Sequence, residues 1–138
     1  MKPIYSVSAT VKGGRDGQAR SEQPPLELTL RTPKELGGPG GAGTNPEQLF
    51  AAGYAACFES ALMLVARMQK KKIGEVTITG DVSLGKTDAG AFQLAVELRG
   101  RIEGGTREET AALMEAAHAV CPYSQATRGN IEVKLVAE

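Results

Sequence analysis

Asn45-Pro46-Glu47-Gln48-Leu49-Phe50-Ala51-Ala52-Gly53-Tyr54-Ala55-Ala56-Cys57-Phe58 begins the stretch on which the reading of this fold turns. Asn45 is a good helix N-cap, and Pro46 follows at the first helical position, where its missing N–H costs nothing. Apolar side chains then run through Leu49, Phe50, Tyr54, Cys57, Phe58, Ala61, Leu62, Leu64, Val65 and Met68 to Lys70-Lys71-Lys72. They cover nearly the whole circumference until Arg67. Such a helix is expected to be buried, in a core or against another subunit. The lysines read as a solvated last turn favoured by the helix dipole.

Working outward, alternation marks strands at Tyr5, Val7, Ala9 and Val11, and at Leu26, Leu28 and Leu30 after Pro24-Pro25. Val76, Ile78, Val82 and Leu84 mark a third strand interrupted by Gly80. Phe92, Leu94, Val96, Leu98 and Ile102 mark a fourth, and Ile131, Val133 and Leu135 a last. Thr87-Asp88-Ala89-Gly90 joins the third and fourth as an expected antiparallel hairpin. A second helix opens with Thr106 and Glu109 in capping-box register, turns Ala112, Leu113, Ala116, Ala117 and Val120 inward, and is expected to stop at Pro122. The run Gly37-Gly38-Pro39-Gly40-Gly41-Ala42-Gly43-Thr44 has neither the Lys-Ser/Thr pair nor the spacing of a nucleotide loop, and reads as an irregular connection. Strands grouped around two helices predict an α+β fold with antiparallel sheet, in a single domain over residues 1–138.

Bulk composition narrows the function. Apolar residues make up 41% and charged ones 23%, ordinary for a globular chain. Lys plus Arg and Asp plus Glu both total 16, and a net charge of zero argues against a nucleic-acid or anionic-membrane partner. Met1-Lys2-Pro3-Ile4-Tyr5-Ser6 lacks a secretory apolar core, and no stretch reads as the roughly 20 apolar residues of a membrane span. The expected location is therefore cytoplasmic, where structural disulfides are rare.

There the chain's two cysteines call for a redox, metal or catalytic role, or for none. Cys57 lies mid-helix among apolar neighbours that raise a thiol's pKa, the setting of an inert packing residue. Cys121 closes the second helix, where unpaired carbonyls disfavour a thiolate. That asymmetry also suits a pair in which one sulfur attacks an oxidant and the other closes a disulfide. Such a pair needs a cation beside Cys57, for which Arg15 and Arg128, both in glycine-dense loops, are the candidates. Two distant cysteines and one histidine show no metal-ligand spacing, so no bound metal or cofactor is expected. His118 could serve a Cys-His hydrolase, but Cys121 would sit at the wrong helix end for a thiolate. His118 reads instead as structural or as a local polar contact.

The segment quoted at the outset, together with Ala117-His118-Ala119-Val120-Cys121-Pro122-Tyr123-Ser124-Gln125-Ala126-Thr127-Arg128-Gly129-Asn130-Ile131, resembles the organic hydroperoxide resistance proteins of the osmotically inducible protein C superfamily. The resemblance covers essentially the whole chain. Gly13-Gly14-Arg15-Asp16-Gly17 is similar to the family's arginine loop, while Glu22-Gln23-Pro24-Pro25 departs from a short Asp-Gly turn found in many relatives. The resemblance implies a thiol peroxidase of the oxidative stress response, with Cys57 peroxidatic and Cys121 resolving. It implies that Arg15 and Glu47 hold and activate the thiolate, and that a dihydrolipoyl group on a partner protein reduces the disulfide. It further implies an intertwined homodimer. A sister-branch peroxidase of broader preference, or a binding or redox-sensing domain without turnover, are the competing readings.

Two inferences rest on helix geometry. Ten residues separate Glu47 from Cys57, about 15 Å of rise, so no single helix brings them together. The Glu47 serving a given Cys57 is therefore expected from a second subunit across a two-fold axis. Phe50, Tyr54, Ala61 and Leu64 fall within about 60° of Cys57 around the helix. They are expected to form an apolar approach for alkyl, aryl or lipid hydroperoxides, although ordinary core would show the same stripe.

Overall fold

The computed structural model describes residues 1–138 and shows an α+β fold with two small sheets, one long helix and two shorter ones. Met1–Leu49 and Phe50–Glu138 form separate compact units.

In the N-terminal unit, β1 (Thr10–Lys12), β2 (Gln18–Glu22) and β3 (Pro25–Thr29) pair antiparallel in that order. The first strand is shorter than the alternation from Tyr5 predicts, and Tyr5 and Val7 are exposed. Within the chain nothing pairs with the backbone before Thr10, and an unpaired strand has no ladder to hold it. The sequence reading misses β2, because Gln18-Ala19-Arg20-Ser21-Glu22 shows no apolar alternation. Its one buried residue, Ala19, lies between Val11 and Leu28 in register. The loop from β1 to β2 carries Arg15 in a short 3-10 turn, Gly14–Asp16. Asp16 fastens that loop: its carboxylate accepts from Thr32 N at 3.0 Å and Thr32 Oγ1 at 2.7 Å. The glycine-rich connection contains a second 3-10 turn, Lys34–Leu36, and ends in a bridge from Leu30 to Thr44.

Helix α1 (Pro46–Met68) starts where the sequence places it, with Gln48 N donating to Asn45 Oδ1 at 2.8 Å. Its exposed lysines follow, and Lys70 takes a left-handed backbone (φ 55°) as the helix ends. Against expectation, α1 is long and apolar enough by length and composition to cross a membrane, with a mean hydropathy of 1.7. Tyr54, Phe58, Leu62 and Val65 belong instead to the core of the C-terminal unit, while Met63, Leu64 and Met68 are exposed.

That core is built on β4 (Val76–Lys86) and β5 (Phe92–Ile102), a long antiparallel hairpin whose turn closes through Gly90 N to Thr87 O at 2.8 Å. Alternate residues Val96, Leu98 and Ile102 point inward. Gly80 does not interrupt β4; a Cβ there would stand 2.9 Å from the Ala51 carbonyl, so glycine lets α1 approach the strand closely. Helix α2 (Arg107–Val120) carries the expected capping box, Glu109 N to Thr106 Oγ1 at 3.2 Å and Thr106 N to Glu109 Oε2 at 3.0 Å. A cap of this kind contributes about 1 kcal/mol. Leu113, Met114 and Ala117 meet Phe58, Leu62 and Leu98 in the core.

Two expectations are corrected here. Pro122 does end α2, but it also opens a further helix, α3 (Pro122–Thr127), because proline suits a first helical position as well as it ends a preceding helix. The last strand, β6 (Val133–Ala137), pairs with β5 in parallel, not antiparallel. The segment between them crosses over through α2 and α3, and such a crossover returns the chain in its original direction.

Candidate active site

The chain's two thiols are brought together. Cys121 Sγ donates toward Cys57 Sγ at 3.5 Å, and both cysteines are free. Cys57 is half-buried on α1; Cys121 is fully buried at the joint between α2 and α3. The joint is a single extended residue. Cys121 N–H donates back to Ala117 O at 2.9 Å, and its own carbonyl accepts from Gln125 N at 3.0 Å. The carbonyl that the sequence reading left unpaired is thus used by α3. A disulfide needs about 2.05 Å between sulfurs, so closure requires a movement of about 1.5 Å.

Burial is the main influence on Cys57 and pushes its thiol pKa up; the neighbouring Cys121 adds to this. The Tyr123 backbone N–H acts in the opposite direction by hydrogen-bonding the sulfur. Sequence reasoning does not find this donor, because it exists only through the unforeseen first turn of α3. Arg128, the alternative cation, donates to the His118 carbonyl at 2.6 Å and so satisfies the last turn of α2.

The other two implied residues also meet, within the N-terminal unit. Arg15 Nη1 and Nη2 donate to Glu47 Oε2 and Oε1 at 2.8 and 2.6 Å, a two-pronged contact. Their ion pair holds the Glu47 carboxyl below the usual carboxylate range and raises the Arg15 pKa, chiefly through those hydrogen bonds. Glu47 lies in the first turn of α1, where the helix dipole also favours an anion.

Of the four residues expected to face substrate, Phe50 lines a cavity of about 510 Å³ with Phe92, Leu94, Ala126 and Ile131. Tyr54 and Ala61 are buried in the core, and Leu64 is exposed. Phe50 stacks on Tyr123 with ring centres 6.1 Å apart and meets Tyr54 edge-on at 5.8 Å. Gly53 leaves room for Tyr123; a Cβ there would lie 3.2 Å from its hydroxyl. His118 is a polar contact, its Nδ1 lying 2.8 Å from Ser124 Oγ. Burial, with Arg128 nearby, keeps its imidazole pKa low.

The OsmC-like protein family model matches residues 38–136, a span holding both cysteines and Glu47. An organic hydroperoxide resistance protein of Xanthomonas axonopodis pv. citri is 53% identical over 97% of this chain and 94% of its own length. The chain belongs to the organic hydroperoxide resistance proteins of the OsmC-like family. Within that family, the protein OhrA of Bacillus subtilis is 47% identical over 99% of both chains. A crystal structure of an organic hydroperoxide resistance protein from Legionella pneumophila superposes with a TM-score of 0.93 at 50% identity, covering 99% of each chain. Both cysteines, free and 3.5 Å apart, lie in the C-terminal unit and within the span that the family model matches.

Proposed function

We propose that this protein is a cytoplasmic cysteine peroxidase that reduces organic hydroperoxides to alcohols in defence against oxidative stress. The observation that carries the reading is the 3.5 Å approach of two free thiols in a chain of this family. The Cys57 thiolate attacks the outer peroxide oxygen; the O–O bond breaks, and the departing alkoxide takes a proton to leave as the alcohol. Cys57 is then a sulfenic acid. Cys121 attacks that sulfur, its thiol proton leaves with the hydroxyl as water, and a Cys57–Cys121 disulfide remains. An external dithiol, a dihydrolipoyl group on a partner protein, restores both thiols by exchange and becomes a disulfide itself.

Burial alone keeps Cys57 protonated, so the reaction needs a cation. The Arg15–Glu47 pair supplies it in this proposal: the guanidinium stays charged at every relevant pH, and Glu47 fixes its aim. Glu47 and Cys57 belong to one continuous helix, about 15 Å apart along its axis. The pair serving each Cys57 therefore comes from a second copy in a two-fold dimer. Exposed Met63, Leu64 and Met68 on α1 give that dimer an apolar surface. The Phe50 cavity, lined also by Phe92, Leu94 and Ile131, favours a hydrocarbon-bearing peroxide over hydrogen peroxide.

A steady-state assay with cumene hydroperoxide and hydrogen peroxide, each with a dihydrolipoamide system and with thioredoxin, tests the whole reading. Cumene hydroperoxide with dihydrolipoamide should give the highest kcat/KM. Normal turnover by Cys57→Ser would discard the mechanism, and equal efficiency for both peroxides would discard the apolar pocket.

A further inference from the structure

Three polar residues are buried in this fold: Thr110, Ser124 and Thr127. Thr110 is accounted for locally, its hydroxyl donating to the Thr106 carbonyl one turn back. The other two converge on the phenol of Tyr54, which is itself fully buried. Tyr54 O–H donates to Ser124 Oγ at 3.0 Å. Ser124 Oγ also lies 2.8 Å from His118 Nδ1, so one hydroxyl links the phenol to the imidazole. Thr127 Oγ1 lies 3.1 Å from the phenol, and the Tyr123 and Ser124 carbonyls, at 3.1 and 3.2 Å, are the other acceptors within reach of its single proton.

The chain of contacts links three helices at the same sequence offset from each thiol. Tyr54 is three residues before Cys57 on α1, His118 three before Cys121 on α2, and Ser124 three after it on α3. Helix α3 has six residues, too few to hold itself as a helix or to fix its own angle. Its placement decides where Cys121 Sγ sits relative to Cys57 Sγ. A purely apolar contact would bury α3 as favourably, but would not fix one register of so short a helix.

We propose that Tyr54, Ser124, Thr127 and His118 are positioning residues for the resolving step, clamping the α2–α3 joint so that Cys121 meets oxidised Cys57 before a second peroxide does. The proposal rests on the peroxidase reading for its biological setting, but the geometry it invokes exists in the reduced protein with no peroxide present.

Two measurements on Tyr54→Phe, Ser124→Ala and Ser124→Thr test it. In the first, Cys57 sulfinic acid is followed by mass spectrometry against rising cumene hydroperoxide with reductant present. Tyr54→Phe and Ser124→Ala should become overoxidised at roughly tenfold lower peroxide than wild type, while Ser124→Thr, which keeps the hydroxyl, should stay near it. In the second, the Cys57–Cys121 disulfide is equilibrated with glutathione buffers. The first two variants should form it about tenfold less favourably, and Ser124→Thr should recover. Unchanged thresholds and unchanged equilibria in both variants would overturn the clamp. If wild type consumes no peroxide, the peroxidase reading fails, and the glutathione equilibrium still decides the clamp. Should Ser124→Ala not fold, Tyr54→Phe, which retains the ring in the core, carries the same comparison.

Discussion

Cys121 Sγ lies 3.5 Å from Cys57 Sγ although 64 positions separate them in the chain. Both are unbonded thiols, and one closure of about 1.5 Å separates them from a disulfide. Removing the second sulfur should therefore separate attack from resolution. Cys121→Ser is expected to reduce one equivalent of hydroperoxide, to accumulate a sulfenic acid at Cys57 that a dimedone probe captures, and to lose sustained turnover with a dithiol. Continued turnover at the wild-type rate would remove Cys121 from the cycle.

The forked Arg15–Glu47 contact predicts how the thiolate responds to mutation. Arg15→Lys keeps the charge but loses the planar fork, so it should fall between wild type and Arg15→Ala. Each unit by which the Cys57 pKa rises represents about 1.4 kcal/mol and roughly a tenfold loss of thiolate at neutral pH. The Cys57 pKa, followed by thiolate absorbance or by the pH dependence of alkylation, should rise in the order wild type, Arg15→Lys, Arg15→Ala. Three coincident curves would mean that Arg15 does not act on that sulfur.

Glu47 also makes a pH-dependent contribution to stability. Its folded pKa lies below the unfolded carboxylate value of about 4.3, so the ionised form is favoured by folding. That contribution is complete above the unfolded pKa and is lost as pH falls through the folded one. Arg15 is 39% exposed, so solvent screening keeps the effect modest. Glu47→Gln should lower the urea midpoint at pH 7 relative to wild type, and the gap should narrow as pH falls below about 4. A gap of the same size at low pH would contradict the linkage.

Leu64 is 45% exposed on a helix whose opposite side is core. In the dimer reading that exposure is covered by the second copy, which also brings its Arg15 and Glu47. Leu64→Glu should then shift the mass measured by light scattering from dimer to monomer, with helix content unchanged and peroxidase activity lost together with the dimer. An intact dimer carrying this substitution would place the subunit contact elsewhere.

The elements that the sequence predicts well are those whose determinants lie within a few residues of one another. Asn45-Pro46 and Thr106-Glu109 start α1 and α2 through contacts spanning three positions. The β4–β5 hairpin is legible because its alternation and its Thr87–Gly90 turn are contiguous. The misses share the opposite property. Strand β2 has one buried side chain and exists because β1 and β3 flank it. The parallel course of β6 depends on a crossover through two helices, one of which Pro122 conceals by ending α2 in the same step.

The same division holds at the candidate site. The amino-acid order named Cys57, Cys121, Arg15 and Glu47 as candidates, through a resemblance carried by local strings, and the chemistry of thiol, guanidinium and carboxylate belongs to each side chain. Only the tertiary structure decided that the sulfurs stand 3.5 Å apart and that Tyr54, Ser124 and His118 join in one chain of contacts. Those distances arise from packing three helices on one sheet. No short-range pattern encodes them, because each depends on where segments far apart in the chain come to rest.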